Sequence, residues 1–134
     1  MFPTDDLTIT TLSAAMRGLG LRHTALAQNV ANADTPGYRR VDVQFEGALA
    51  EAVAADREGA APGGREGMRR APASATGQVD AEVGSGGAAM RVDGGTVDAD
   101  QEMAALAANQ LAYQTVTALL SKKFGQLAYV INGR

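Results

Sequence analysis

Apolar residues return every seven positions at both ends of this chain. Leu12, Leu19, Leu26 and Ala33 form one series, with Met16, His23 and Val30 beside it; Leu106, Tyr113, Leu120 and Leu127 form the other, flanked by Met103, Phe124 and Ile131. A repeat of seven puts one apolar stripe along an α-helix, and such a stripe has to be laid against a second one. The spacing therefore predicts an N-terminal helix over 4–33 and a C-terminal helix over 98–132. Asp5 and Asp6 in the first turn of the former, with Arg17 and Arg22 further along, suit the helix macrodipole. Asp98, with Gln101 three residues on, reads as a cap for the latter, and Asn132-Gly133 as its stop. A helix of that length reaches roughly 50 Å.

Between the two series the composition changes. Residues 57–97 hold ten of the sixteen glycines and two of the four prolines, with almost no large apolar side chain. Such a stretch buries too little to offset its ordering entropy, so 57–97 is expected to be a flexible insert, loosest from Arg57 to Gly87. Met90 to Val97 is a candidate β-hairpin turning at Asp93-Gly94. Over 34–56 a turn is expected, followed by a short helix on which Phe45, Leu49 and Val53 recur four apart. The expected fold is mainly α: a single domain, 1–134, whose long terminal helices pair as an antiparallel coiled-coil hairpin around a short, loosely ordered Gly-rich middle. The two stripes are wider than a two-helix hairpin needs, which leaves part of each for another copy or another protein.

Several chemistries are excluded by residue type. With no cysteine there is no thiol nucleophile and no Cys-ligated metal, and a lone histidine, His23, cannot build a His-based zinc site. His23 lies along the stripe and is expected to be a partly buried packing residue. Asp93, Asp98, Asp100 and Glu102 do not have the spacing of an EF-hand loop; helix capping and dipole complementation account for them. Gly84-Ser85-Gly86-Gly87 lacks the Lys-Ser/Thr of a phosphate-binding loop, and Arg65, Arg69 and Arg70 read as solvated linker charges. A net charge of −3 argues against a nucleic-acid surface. No catalytic residue, cofactor or metal is expected. The first eleven residues do not have the pattern of a cleaved secretory signal, and no stretch is apolar for long enough to be a transmembrane segment.

The most distinctive local string is Ala31-Asn32-Ala33-Asp34-Thr35-Pro36-Gly37-Tyr38, at the end of the first stripe. Its residues make a stop and a turn. Asn32 or Asp34 can bond backbone groups freed at the helix end, Thr35 before proline is pushed to extended geometry, and Pro36-Gly37 suits the central pair of a type II turn that anchors Tyr38. The string resembles the signature of the flagellar basal-body rod family, Ala-Asn-x-x-Thr-Pro-Gly-Tyr, and Asn29-Val30 before it fits as well. The C-terminal blocks Val97 to Met103, Asn109 to Gln114 and Leu119 to Phe124 resemble the proximal type within that family.

The resemblance implies a structural subunit of the rod, the drive shaft that carries torque from the motor ring to the hook, located in the basal body in the cell envelope. It implies partners of one kind, namely copies of itself and other rod proteins, with contacts to ring–rod junction and export-gate proteins. The seam residues would be Leu12, Leu19, Leu26, Leu106, Tyr113, Leu120 and Leu127, and the family turn Ala31, Asn32, Thr35, Pro36, Gly37 and Tyr38. Export through the flagellar type III apparatus is also implied, with Phe45 and Leu49 as the candidate export element. Apart from the resemblance, the stripes alone are equally compatible with a soluble coiled-coil adaptor that binds a single helical partner.

Overall fold

The computed structural model describes residues 3–59, 82–85 and 96–133. In chain order these form helix α1 (Pro3–Ala31), strand β1 (Val41–Gln44), helix α2 (Glu46–Gly59), strand β2 (Glu82–Ser85) and helix α3 (Ala99–Asn132). The protein is mainly helical, and α1 and α3 pack on each other. Two cross-links set the direction: Asn29 near the end of α1 bonds Glu102 near the start of α3, and Leu19 in the middle of α1 bonds Asn109. Moving back along α1 thus moves forward along α3, so the pair is antiparallel.

The ends of both helices follow from local chemistry. Pro3 opens α1, where its fixed φ is pre-set and its missing N–H costs nothing. Asp98 caps α3 by accepting from the N–H groups of Asp100 and Gln101 at 3.1 and 3.4 Å. Gly133 closes α3 with φ +64°, its N–H donating to the Tyr129 carbonyl at 3.1 Å.

β1 pairs antiparallel with β2, with Val41 opposite Ser85 and Gln44 opposite Glu82. An isolated pair of strands is marginal in water. This one is held because β1 lies against α1 and buries Val43 there, 2% exposed. β2 and the end of α2 fall inside the stretch whose composition predicts a loose insert. Strand pairing satisfies backbone groups and requires no large side chain, so Gly-rich composition does not preclude it. Of the candidate hairpin at 90–97, residues 90–95 lie outside the described residues. Thr96 runs beside the chain leaving α1, its N–H donating to the Tyr38 carbonyl at 3.3 Å and its hydroxyl accepting from the Arg40 N–H at 2.8 Å.

The core among the described residues is made of Ala14, Leu19, Ala25, Leu26, Ala33, Val43, Phe45 and Val97. Three of these eight are alanines, which let elements approach closely. The closest approach is at Gly18, where an added Cβ would stand 2.4–2.7 Å from three atoms of the Phe45 ring. Gly18 is thus the seat of the one large aromatic in the core. The side of α1 that carries Ala14, Gly18, Ala25 and Asn29 is drawn toward β1, which turns His23 to the edge of the packed face. His23 is exposed, contrary to the partly buried position its spacing predicts.

Gly18→Ala should therefore lower stability by about 1–3 kcal/mol through overpacking. Gly20→Ala, where a Cβ meets nothing within 4 Å, should raise it by up to ~1 kcal/mol through helix propensity. Urea midpoints of the two variants should move in opposite directions; a shared direction would remove the packing role of Gly18.

Candidate functional site

Two buried polar residues, Asn29 and Glu102, tie the turn after α1 to the start of α3. Asn29 is fully buried and uses both ends of its amide. Its Nδ2 donates to the Val41 carbonyl at 2.8 Å and to Glu102 Oε2 at 3.0 Å; its Oδ1 accepts from the Val41 N–H at 2.9 Å and from the Tyr38 hydroxyl at 3.2 Å. Glu102, 1% exposed, receives the Arg40 guanidinium on its other oxygen. The carboxylate sits between a cation and an amide donor, the condition under which a buried charge is tolerated. Capping does not account for Glu102: Asp98 caps the helix, and Glu102 turns inward.

The turn itself is built on these anchors. At the end of α1 the Asn32 side chain donates to the Gln28 carbonyl at 2.8 Å, and the Thr35 N–H donates to the Asn32 carbonyl at 3.0 Å. The Tyr38 N–H then donates to the Thr35 carbonyl at 3.2 Å, with Pro36 and Gly37 between and Gly37 at φ +74°. That positive φ at the third position is the type II arrangement, and glycine adopts it without a steric penalty. Ala31, Thr35, Pro36 and Gly37 are exposed, Asn32 and Tyr38 half-buried. The string thus divides into an outward loop and an inward pair of anchors, Tyr38 and the preceding Asn29.

A second clamp holds the junction of β1 and α2. Arg22 donates from Nε and from one terminal nitrogen to the Val43 carbonyl at 3.0 and 2.8 Å, and pairs with the Glu46 carboxylate. Its guanidinium carbon lies 4.8 Å from the centre of the Phe45 ring, so Phe45 is held between an arginine and the Gly18 backbone. The hydrogen bonds from Arg22 hold the Glu46 carboxyl down to about 2, well below its ordinary value. The same pairing raises the Arg22 guanidinium. Phe45, one half of the candidate export element, is buried, and Leu49 one turn on is half-buried.

Along the helical seam, Leu19 and Leu26 are buried, while Leu12, Leu106, Tyr113, Leu120 and Leu127 are half-buried. Asn109 stands among them, 5% exposed; its Nδ2 donates to the Leu19 carbonyl at 3.1 Å, and its Oδ1 has no partner among the described residues. The far side of α3 is apolar too. Met103, Leu111, Leu119, Tyr129, Val130 and Ile131 are all about half exposed or more. The sequence pointed to Asn29 and Asn109 only as parts of the matched strings and to Glu102 only as a helix-end charge, and it did not single out Arg40. A signal for two of them existed: Glu102 and Asn109 are seven apart and in step with Leu106 and Tyr113, which puts both on the packed face. Among the described residues no group of three or more His, Cys, Asp or Glu could hold a metal ion, and no helix is long and apolar enough to cross a membrane.

Comparison with known proteins places this geometry. No family model matches the chain. It is 31% identical over 132 residues to the flagellar basal body rod protein FlgB of Bacillus subtilis strain 168, covering 94% of each chain. It is 32% identical over 120 residues to FlgB of Salmonella typhimurium strain LT2, covering 84% of this chain and 83% of that one. To FlgB of Escherichia coli K12 it is 33% identical over 119 residues, covering 83% and 80%.

Two outcomes follow from the clamps. Glu102→Ala leaves the Arg40 cation and the Asn29 amide without their acceptor and should cost about 3–5 kcal/mol, read as lost helicity in far-UV circular dichroism; Glu102→Gln should cost less. A Glu102→Ala change below ~1 kcal/mol would show that the network holds nothing together. For Glu46 the folded value is depressed, so its contribution is present above about 4.5 and is lost as pH falls from there to about 2. With the side chain 60% exposed, that contribution is only about 0.2–1 kcal/mol. The gap in urea midpoint between the wild type and Glu46→Gln should close across that window, and a gap that persists at pH 2 would contradict the pairing.

Proposed function

Because the chain belongs to the FlgB family of flagellar basal body rod proteins, we propose that it builds the proximal rod through its two terminal helices and acts there without covalent chemistry. A basal-body rod protein is a structural part, and its function is the geometry of its packing. The observation that carries this reading is the double-sided character of α3. One side of that helix meets α1, while Met103, Leu111 and Leu119 elsewhere on it stay open to solvent. A helix that is apolar around most of its circumference belongs in an interior, and a two-helix hairpin cannot supply one. Neighbouring subunits supply the rest.

In this reading Leu12, Leu19, Leu26, Leu106, Tyr113, Leu120 and Leu127 set the spacing of the hairpin that neighbours pack against. The outward loop Thr35-Pro36-Gly37 gives each subunit a fixed corner. Interdigitated side chains resist sliding, so a tube of such hairpins transmits torque between motor ring and hook. Its contacts are copies of itself, other rod proteins and proteins of the ring–rod junction.

Export through the flagellar type III apparatus completes the proposal. Phe45 lies beneath Arg22 and against Gly18, so an export gate that reads Phe45 and Leu49 does so on the unfolded chain.

One complementation experiment in a deletion strain tests both parts. Leu120→Asp puts a charge into the seam and should be exported yet missing from sedimented basal bodies, with motility lost; normal swimming would mean that the seam lies elsewhere. Phe45→Ala should lower the secreted amount more than the folded fraction, and equal loss of both would remove the export role.

A further inference from the structure

The outward side of α3 reads alike in both directions. Leu111 is 66% exposed and, with Ala104, Ala107, Thr115 and Ala118, also exposed, forms a single ridge at spacings of three and four; Met103 and Leu119, 59% and 48% exposed, flank it on opposite sides. No residue from Met103 to Ser121 carries a charge. The charges that bound this stretch on the open face are Asp100 before it and Lys122 after it, both exposed. Glu102 is turned inward to Arg40, and Lys123 is half-buried.

Counted from Leu111, the pattern is symmetric. Ala107 and Thr115 lie four residues away on either side, Ala104 and Ala118 seven, Asp100 and Lys122 eleven, and that last pair has opposite signs. A second copy of α3 running antiparallel therefore sets Ala104 toward Ala118, Leu111 beside Leu111, and Asp100 toward Lys122 at both ends. A parallel copy in the same register would set Asp100 toward Asp100 and Lys122 toward Lys122, which like-charge repulsion disfavours.

We propose that free chains pair through this ridge as an antiparallel dimer with its twofold axis at Leu111. Such a contact uses the same patch on both partners and closes on itself. It covers the apolar ridge without starting a polymer, and so holds the subunit in a form that must dissociate before α3 can take another neighbour. The pairing concerns the free chain and does not rest on the rod reading.

The chain has no cysteine, so a single introduced thiol reports the axis directly. Under mild oxidation, full-length Leu111→Cys should give a disulfide-linked dimer, whereas Thr24→Cys, exposed on α1, should stay largely monomeric. Sedimentation equilibrium of the cysteine-free protein should stop at the dimer. At low salt Asp100→Lys and Lys122→Asp should each weaken that dimer about tenfold, and the double exchange should restore it to within about threefold of the wild type. If Asp100→Lys loosens the first turn of α3, Lys122→Gln gives the same reading with an expected loss of roughly threefold. A monomer at every concentration, a ladder of higher species, or a double exchange as weak as either single one would each overturn the proposal. None of these results would alter incorporation into basal bodies, which tests the rod reading separately.

Discussion

Everything in this structure is arranged around the side chain of Asn29. A primary amide has two donors and an acceptor oxygen with two lone pairs, and here all four are engaged: two with the backbone of Val41, one with the Tyr38 hydroxyl and one with Glu102. The bonds to both the N–H and the carbonyl of Val41 mimic those of a neighbouring strand. The first residue of β1 is thereby fixed to α1 before its pairing with β2 begins. Since Tyr38 and Arg40 lie just before that residue, the position of the whole turn follows from one buried amide, and Glu102 extends the arrangement to α3. A core this poor in large side chains needs such a device. Alanine packs closely but discriminates weakly between registers, whereas a buried amide opposite a buried carboxylate is satisfied in only one.

The second support is steric. Phe45 is the one aromatic buried in the core among the described residues, and the groove that receives it exists because residue 18 has no side chain. Arg22, one turn further along α1, closes over the ring and reaches the Val43 carbonyl. Gly18 thus gives up helix propensity in α1 and gains a seat for the segment that follows β1. Two glycines that weaken a helix on propensity grounds have different standing here: Gly18 is occupied by a partner, and Gly20 faces open space.

The sequence made the helices and their antiparallel pairing legible, because a sevenfold repeat is one-dimensional information and survives without knowledge of the partner. Asp98 was legible as a cap for the same reason, since its acceptors lie two and three residues away. The turn from Asn32 to Tyr38 could be singled out from its residue types. Its anchors were not legible: Asn29 and Glu102 are 73 residues apart, and a polar residue on an apolar stripe looks like a surface residue until its partner is known. The β1–β2 pair was hidden for another reason. Strand pairing is made by the backbone, and Glu82-Val83-Gly84-Ser85 carries no side-chain pattern to announce it. His23 shows the limit of periodicity, since its exposure depends on which side of α1 is drawn toward β1.

The long reach of the Asn29–Glu102 bond also imposes an order of events. A chain that emerges from its N-terminus has α1, the turn and β1 available early, but their buried acceptor arrives only with the last third of the sequence. Until then Asn29 and Arg40 lack the carboxylate they bond in the folded protein. Closing a loop of that length adds an entropic barrier that local helix formation does not face. The network that ties the turn to α3 therefore closes late, only when the two ends of the chain meet.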